Sequence, residues 1–500
     1  MVSKWRNVLQ RIRVLLKDLS SSISHIFGKP NSSLDKLAET SFLLFSCEKS
    51  AMNITTTQSL IILLVQLGVR LLDLLYNNVH SQVILVSSFV IHHAVCRKKA
   101  ISLILVPCLA VSLTLQSDIQ VLRNIREAVD PNTVSSTSFL STWNFDTDPC
   151  ESSGPHFLGV LCTTPEDNSS SRIAVINLEG DGLDCFLTPT IGNLTELTTL
   201  NLRNNNFRGP IPNTIAKLRK ITKLLLSQNF FSGGLPEGLS EMKRLEHFDL
   251  SQNRLSGTIP PKISALRSLL HLQLSGNQFS GKLPDFSGLW QLTTLDLSSN
   301  LFYGTLPQFP TSLRTLLLSH NMISGNVSSI GRLPHLKTLD LSDNRLSGKI
   351  EPDILTSPKV SSINVSANLF SDIEVVFMNQ PSQLQLLDAH GNHLRGHLPL
   401  HLITYQNLRA IYLGHNLFSG WIPKEYGAKL YSWKTLFLEY NFLQGTLPQE
   451  FMNNLERIRG SLAHNCLRCP KNVSFCHGGQ RAPSECTGQK GEGPWLTKLG

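Results

Sequence analysis

Apolar residues recur at fixed steps from Ile173 to Asn465, in the pattern LxxLxLxxN with a spacing of mostly 24 residues. The alternating part, as in Leu200-Asn201-Leu202, predicts a short strand that turns one face inward. One such unit cannot bury its apolar face alone. Repetition in phase therefore predicts a solenoid, in which each copy packs against its neighbours.

The last position of the pattern is polar in every copy. It is Asp181 in the first copy and asparagine in those that follow. An Asn side chain both donates and accepts hydrogen bonds, so stacked amides would satisfy backbone groups left open by the turn. We interpret these residues as a structural ladder, not as catalytic groups. The ladder consists of Asn205, Asn229, Asn253, Asn277, Asn300, Asn321, Asn344, Asn368, Asn392, Asn416, Asn441 and Asn465.

A second repeated segment follows the ladder position. It reads FSGGLP at 231–236, LSGTIP at 255–260, FSGKLP at 279–284 and FSGWIP at 418–423. This signature resembles the plant-specific class of leucine-rich repeat, and the resemblance implies a second set of short strands beside a concave sheet. Residues 117–162, with Trp143-Asn144 and Asp148-Pro149-Cys150, look like the N-terminal cap of plant receptor-like proteins and receptor-like kinases.

The expected fold is an α/β-type solenoid, a curved leucine-rich-repeat superhelix with a parallel concave β-sheet and disulfide-stabilised N- and C-terminal caps. We divide the chain into a leader at 1–99, a signal-peptide-like apolar segment at 100–116, the N-terminal cap at 117–172, the solenoid at 173–465 and a Cys-rich C-terminal cap and tail at 466–500. Between 325 and 376 the second segments lose their terminal proline, and the coil from Asn300 to Asn321 has only 21 residues. We expect the regular twist to be disturbed there.

Cysteine usage indicates an oxidising compartment. We favour disulfides over a metal site, because the CxxC of Cys466 and Cys469 has no second CxxC beside it. Three pairings of the last four cysteines stay open, and Cys185 is left over as a free or intermolecular thiol. The predicted disulfide cysteines are Cys150, Cys162, Cys466, Cys469, Cys476 and Cys486.

Five N-x-S/T sequons after Gln116 fit the same compartment and predict N-glycosylation. They are Asn168, Asn193, Asn326, Asn364 and Asn472.

The formal charge of +9 belongs mostly to the leader, since residues 1–99 hold 12 Lys and Arg against 5 acidic residues. Nucleic-acid binding is therefore set aside. Basic residues 97–99 followed by an apolar run at 100–115 are typical of a signal peptide. Residues 1–96 indicate either a membrane-inserted leader or an upstream exon wrongly joined. Whether the apolar run is cleaved as a signal peptide or spans the bilayer, we expect the repeats to lie outside, in the apoplast or cell wall or on a membrane.

Residues two, four and six places before each ladder asparagine point out of the concave face. Most are serines and aspartates of a DLSxN consensus, which we interpret as solvated structural positions. The C-terminal coils differ, because aromatic side chains of the kind that anchor partners occupy these positions. The candidate contact patch is Leu386, His390, Tyr412, Phe437 and Glu439. The alternative is that the C-terminal cap folds over Phe437 and Tyr412.

Histidines form two groups, His247 with His271 on adjacent coils, and His390, His393 and His397 close in sequence. Neither group has a carboxylate or thiol that completes a convincing ligand set, so we expect no metal and no cofactor. Solvated or pH-responsive histidines are the favoured interpretation.

The sequence contains no GxSxG, HExxH, Walker or kinase motif. We expect a non-enzymatic recognition module that binds a protein, peptide or glycan ligand, with a receptor-kinase ectodomain as one candidate partner, in receptor-like signalling or defence. Two alternatives stay open. One is an inhibitor of secreted cell-wall-degrading enzymes, similar to polygalacturonase inhibitors. The other is a truncated receptor-kinase ectodomain, since the sequence ends at Gly500.

Overall fold

The computed structural model describes residues 114–151, 156–164, 170–429, 432–452, 459–470 and 473–487. The predicted leader at 1–99 and most of the apolar segment at 100–116 lie outside the described residues. Within the described part the chain forms a curved solenoid with a cap at each end, which confirms the expected fold class.

The concave face is one sheet of 14 strands, in which each coil contributes one short strand. All neighbours are parallel except the first two strands, which are antiparallel. With all strands numbered in chain order, this sheet contains β1 (Val160–Thr163), β2 (Arg172–Asn177), β3 (Thr199–Asn201), β5 (Lys223–Leu225), β7 (His247–Asp249), β9 (His271–Gln273), β11 (Thr294–Asp296), β13 (Thr315–Leu317), β15 (Thr338–Asp340), β17 (Ser362–Asn364), β19 (Leu386–Asp388), β21 (Ala410–Tyr412), β23 (Thr435–Phe437) and β25 (Arg459–Ser461).

The second segments form strands beside this sheet, in two separate pieces. The first piece has eight strands, β4 (Arg208–Pro210), β6 (Phe230–Gly233), β8 (Arg254–Gly257), β10 (Gln278–Lys282), β12 (Leu301–Thr305), β14 (Met322–Gly325), β16 (Arg345–Ile350) and β18 (Leu369–Ile373). The second has four, β20 (Arg395–Gly396), β22 (Leu417–Trp421), β24 (Phe442–Thr446) and β26 (Cys466–Arg468).

The gap between the two pieces of the second sheet comes after the coils whose second segment lacks its terminal proline. Proline has no backbone N–H and normally ends such a strand. Without it β16 continues for six residues, and its pairing with β18 shifts register between Gly348 and Lys349. The second sheet then stops after Ile373, whereas the concave sheet continues without a break. The disturbance is therefore confined to the second sheet.

Short helices connect the strands on the side away from the concave sheet. Most are single 3-10 turns, namely Pro189–Asn193, Asn213–Lys217, Leu239–Glu241, Pro261–Ala265, Ile330–Arg332 and Leu400–Thr404. Three are short α-helices, α2 (Pro352–Leu355), α3 (Lys424–Lys429) and α4 (Gln449–Met452). The leucines of the repeat fill the space between strands and helices and form one continuous apolar core.

The ladder asparagines all make the same set of four hydrogen bonds. In Asn344 the amide nitrogen donates to the carbonyls of Leu318, Leu341 and Ser342 at 2.9, 3.1 and 3.1 Å. Its amide oxygen accepts the Ile323 N–H at 2.9 Å. Two of these partners belong to the preceding coil, so each asparagine ties its own turn to its neighbour. The equivalent contacts recur from Asn205 to Asn465.

The N-terminal cap covers the first coil with helix α1 (Gln116–Ala128) and the 3-10 turns Pro131–Thr133 and Phe139–Thr142. Asp118 is fully buried and pairs with Arg172 at 2.9 Å. Asp181, the first residue of the ladder column, accepts the Ser138 hydroxyl at 2.6 Å and the Phe139 N–H at 3.0 Å. A carboxylate at this position accepts hydrogen bonds from the cap, where no preceding coil exists.

The C-terminal cap extends the stack by imitating one more coil. The Leu462 N–H donates to the Phe475 carbonyl at 2.7 Å, as each preceding coil donates to the next. Gln480 takes the ladder role, because its amide oxygen accepts the Leu467 N–H at 3.2 Å and its nitrogen donates to the Leu462 carbonyl at 3.1 Å. The cap also contains the 3-10 turn Ser474–Cys476 and helix α5 (Pro483–Thr487).

Three disulfides are present among the described residues. Cys150 is bonded to Cys162 in the N-terminal cap. In the C-terminal cap the structure pairs Cys466 with Cys486 and Cys469 with Cys476, one of the three pairings that the sequence left open.

Cys185 is free, but it is not available for an intermolecular disulfide. Its side chain is 4% exposed and belongs to the core beside the first coil. Burial raises the pKa of its thiol to about 12, so it stays protonated and unreactive at neutral pH. Of the two alternatives for Cys185, the structure therefore shows the free thiol, because the side chain packs inward.

We expect Asn344→Ala to lower the free energy of unfolding by roughly 2–4 kcal/mol, because it leaves several buried backbone groups without partners. Chemical denaturation followed by circular dichroism measures the change. Amide exchange at Ile323 should accelerate in the same variant. Asn206→Ala is the matched control, since Asn206 is exposed in the coil next to a ladder position. Equal destabilisation by the two variants would contradict the role assigned to the ladder.

Candidate ligand-binding surface on the C-terminal strands

Polar groups on the central strands of the concave face satisfy one another within each strand. The Asp340 carboxylate accepts the Ser342 N–H at 3.0 Å and the Ser342 hydroxyl at 2.6 Å. Asp249 makes the same contacts to Ser251 and also pairs with Arg203 at 2.6 Å. These DLS motifs therefore have a structural role, since their hydrogen-bonding groups are already occupied.

This arrangement ends at β21 and β23, where aromatic rings replace the aspartates. The register places Tyr412 directly beside Phe437. Their rings stack with centroids 5.3 Å apart and planes 6° from parallel, and both side chains are half-buried. Because each ring is fixed to a rigid strand, the pair presents a flat apolar surface at little conformational cost.

Glu439 lies two residues after Phe437, where the central strands carry serine. Its carboxylate covers Gly414, and a Cβ on that glycine would come within 2.9 Å of Glu439 Oε1. The other oxygen, Oε2, is buried and has no hydrogen-bond partner among the described residues. Burial raises the pKa of this carboxyl, and the nearby His390 opposes that shift. A carboxylate oxygen shielded from water without a partner is costly.

The two remaining residues of the predicted patch lie on and just after β19. His390 is exposed, and its Nδ1 lies 2.8 Å from Asp388 Oδ1. Leu386 is half-buried and pairs in register with Ala410. The structure thus brings all five predicted residues onto three consecutive coils of one sheet. We call Leu386, His390, Tyr412, Phe437 and Glu439 the C-terminal patch.

A second aromatic stack lies beside the patch and was not included in the predicted set. Tyr440 stacks between His415 and His464, with centroids 4.2 and 4.1 Å apart. All three precede ladder asparagines and have φ of 52–53°, a left-handed conformation that every residue in this column adopts. Burial, with the nearby His390, His464 and Arg481, lowers the pKa of His415. Extending the column analysis to the residue before each ladder asparagine would have found this stack.

The C-terminal cap occupies the place of the coil after β25, so one strand separates it from β23. Its contacts fall on Gly460, Leu462 and Asn465, and Arg481 lies over the Phe442 ring at 4.3 Å. Tyr412 and Phe437 keep half-buried rings that stack on each other. This placement argues against the alternative in which the cap folds over them.

The first of the two predicted histidine groups is a stacked pair on adjacent coils. His247 and His271 stack with ring centroids 4.8 Å apart, and burial together with His271 and Lys223 lowers the pKa of His247. In the part of the chain that the structure describes, no group of three or more His, Cys, Asp or Glu side chains is arranged to hold a metal ion.

Across the same described ranges, none of the helices combines the length and the apolar character that a membrane span requires.

Family models match several coils of the solenoid. A two-copy model of leucine-rich repeats covers residues 311–376, and a single leucine-rich-repeat model matches 196–218, 244–266 and 268–289. Among curated proteins, Receptor-like protein 35 of Arabidopsis thaliana is 32% identical over 84 residues, which is 17% of this chain. The matched segment spans only 9% of that relative's length.

Several solved structures superpose on part of the chain with low scores. The plant peptide hormone receptor RGFR1 in complex with RGF2 is 26% identical, covers 61% of this chain and 57% of its own, and has a TM-score of 0.43. The Arabidopsis receptor kinase HAESA, in complex with the peptide hormone IDA and the co-receptor SERK1, is 23% identical over 73% of each chain, at a TM-score of 0.42. A plant ice-binding protein is 25% identical, covers 73% of this chain and 98% of its own, and also has a TM-score of 0.43.

The peptide ligands named above bind those receptors, and their binding is not assigned to this chain. At these TM-scores the superpositions add nothing to the fold described above. The matched repeats and the asparagine ladder are the basis for identifying the repeat type. The chain contains leucine-rich repeats, and an 84-residue segment of it is similar to a plant receptor-like protein.

Proposed function

We propose that this protein is a non-enzymatic extracellular recognition module, which binds a peptide or an extended protein segment across the C-terminal patch. The three disulfides support an oxidising, secretory compartment. The open strand surface supports a macromolecular ligand, because the patch is a flat face and not an enclosed pocket for a metabolite.

The observation that carries the proposal is the unpartnered oxygen of Glu439 beside the Tyr412 and Phe437 stack. Asp249, Asp296 and Asp340 each accept hydrogen bonds from the serine two residues later, whereas the β23 coil places a glutamate over a glycine. Such a local departure, which costs stability, is typical of a functional position. Rotation of the Glu439 side chain toward the concave surface would let a donor on a bound ligand reach this oxygen.

The chemistry of the patch favours a cationic group on the ligand. Glu439 of the patch and the neighbouring Asp388 are acceptors for a Lys or Arg side chain. Arg409 and Lys434 directly precede β21 and β23, Arg459 is the first residue of the adjacent β25, and all three are exposed. We call these three residues the basic edge.

A ligand that lies along the strands therefore meets acceptors at one end and cations at the other. We propose an extended segment that carries Lys or Arg at one end, an apolar residue over the aromatic pair, and an acidic group toward the basic edge. This charge arrangement fixes the direction in which the segment lies.

The binding test is selection from a displayed random peptide library by the purified protein. We expect enrichment of peptides with the charge order given above. Combined Tyr412→Ala and Phe437→Ala should weaken binding of the enriched peptides at least about tenfold, because rigid aromatic anchors dominate such contacts. The matched control is Tyr303→Ala with Phe230→Ala, two exposed aromatic residues on the second sheet. Unchanged affinity in the first pair, or equal loss in the control, would refute the assignment.

The variant Glu439→Gln should separate binding from stability. Burial disfavours the charged carboxylate, so at about pH 7.5 we expect the variant to be slightly more stable than the wild type, by less than about 0.5 kcal/mol for a half-exposed group. The raised native pKa means that protonation stabilises the wild type as pH falls through it, so the difference should shrink near pH 4. Thermal melts at both pH values measure this.

The same variant should lose the selection for Lys or Arg in the peptide library. A marked loss of stability with unchanged peptide preference would instead give Glu439 a purely structural role.

A further inference from the structure

The sequons divide into two groups by their place in the fold. Asn193 lies in a 3-10 turn on the side away from the concave sheet and is exposed. Asn326 follows β14 of the second sheet and is also exposed. Asn364 is different, because it is the last residue of β17 in the middle of the concave sheet. Asn168 and Asn472 lie outside the described residues.

Asn364 occupies the position that carries aspartate on the two neighbouring strands. It pairs in register with Asp340 on one side and with Asp388 on the other. Its side-chain oxygen accepts the Ser366 N–H at 3.1 Å and the Ser366 hydroxyl at 2.7 Å, as Asp340 does with Ser342. The side-chain oxygen of Asn364 thus makes the hydrogen bonds that aspartate makes in the DLS motif, and the amide nitrogen takes no part in them.

The amide nitrogen of Asn364 donates no hydrogen bond to any described residue, and the side chain is half-exposed. Asn201, in the same column, uses its nitrogen to bind Glu179 at 2.8 Å. Asp340 and Asp388 flank Asn364 in register, and the other concave residues on its own coil and the preceding one are small hydroxyl residues, namely Thr338, Ser342, Ser362 and Ser366. The concave face therefore has room for a bulky group at this point.

We propose that Asn364 carries an N-linked glycan, which projects from the concave sheet, covers its central strands and borders the C-terminal patch on the N-terminal side. The inference rests on the proposed function, because it requires the secretory compartment. In the modification a bond forms between Asn364 Nδ2 and the anomeric carbon of a lipid-pyrophosphate-linked oligosaccharide. The bond from that carbon to the pyrophosphate breaks, and the amide loses one proton.

The position of the glycan has a consequence for binding. Strands in the sheet are about 4.8 Å apart, so β15 and β19 lie within reach of the first sugars. Leu317 on β13 and Leu386 on β19 lie on opposite sides of Asn364, and both are half-buried on the concave face. A partner would then approach the C-terminal patch from the cap end, because the glycan occupies the centre of the sheet.

The experiment uses the full chain expressed in plant cells. Trypsin releases Asn364 in the peptide 360–395, in which it is the only sequon. Intact-glycopeptide mass spectrometry gives its occupancy, and the peptides with Asn193 and Asn326 report on the compartment. Hydroxyl-radical footprinting then compares the wild type with Asn364→Asp. This variant removes the glycan and keeps the serine contacts, since Asp340 makes the same ones.

We expect Asn364 to be glycosylated, and oxidation of Leu317 and Leu386 to rise about twofold or more in Asn364→Asp, because an N-linked glycan is bulky. Tyr303, on the second sheet, should not change. Glycans at Asn193 or Asn326 with a bare Asn364 would overturn the inference and leave the proposed function intact. Glycosylation at none of these sites would overturn both the inference and the extracellular assignment. An occupied Asn364 without change in the footprint would refute the shielding of the sheet.

Discussion

The asparagine ladder is the constraint on which the rest of the structure depends. Each coil must turn its backbone out of the concave sheet, and the turn leaves one N–H and three carbonyls inside the protein. One amide side chain satisfies all four, and two of the four belong to the preceding coil. Since buried backbone groups without partners are costly, the ladder holds neighbouring coils in a fixed register. The two ends of the ladder use other residues. Asp181 accepts a hydrogen bond from the N-terminal cap, and the side-chain amide of Gln480 in the C-terminal cap accepts one from the last coil.

The ladder also explains which irregularities the fold tolerates. Coils of different length and composition follow one another between residues 300 and 376, yet the concave sheet continues through them. The described strands of the second sheet have no asparagine ladder, and only scattered side-chain contacts such as Ser324 to the Gly304 carbonyl join its coils. Where the second segment lacks its terminal proline, pairing shifts at β16 and stops after β18. The irregular strand pairing is therefore confined to the second sheet, and the concave strands keep a regular geometry.

The concave face presents two different sets of side chains on one scaffold. On the central strands aspartate and serine satisfy each other, and Arg203 neutralises Asp249. At β21 and β23 the same positions hold stacked rings and a carboxylate with an unpartnered oxygen. These two consecutive coils present a different surface because three side chains differ, whereas their strands pair in the same register as the others. This is the general advantage of a repeat architecture, in which surface positions vary without changing the core.

The sequence by itself determined the fold class, the ladder and the faces of the strands. These follow from local chemistry that repeats in phase, such as the Leu200 and Leu202 alternation and the position of Asn205. It also indicated Tyr412, Phe437 and Glu439 as exposed on one face, since strand periodicity fixes direction. Only the tertiary structure decided the pairing of Cys466 with Cys486, the inward packing of Cys185 and the substitution of Gln480 for a ladder asparagine. The stack of His415, Tyr440 and His464 and the buried oxygen of Glu439 belong to the same group. Each depends on the distance between side chains in neighbouring coils, which spacing along one chain does not contain.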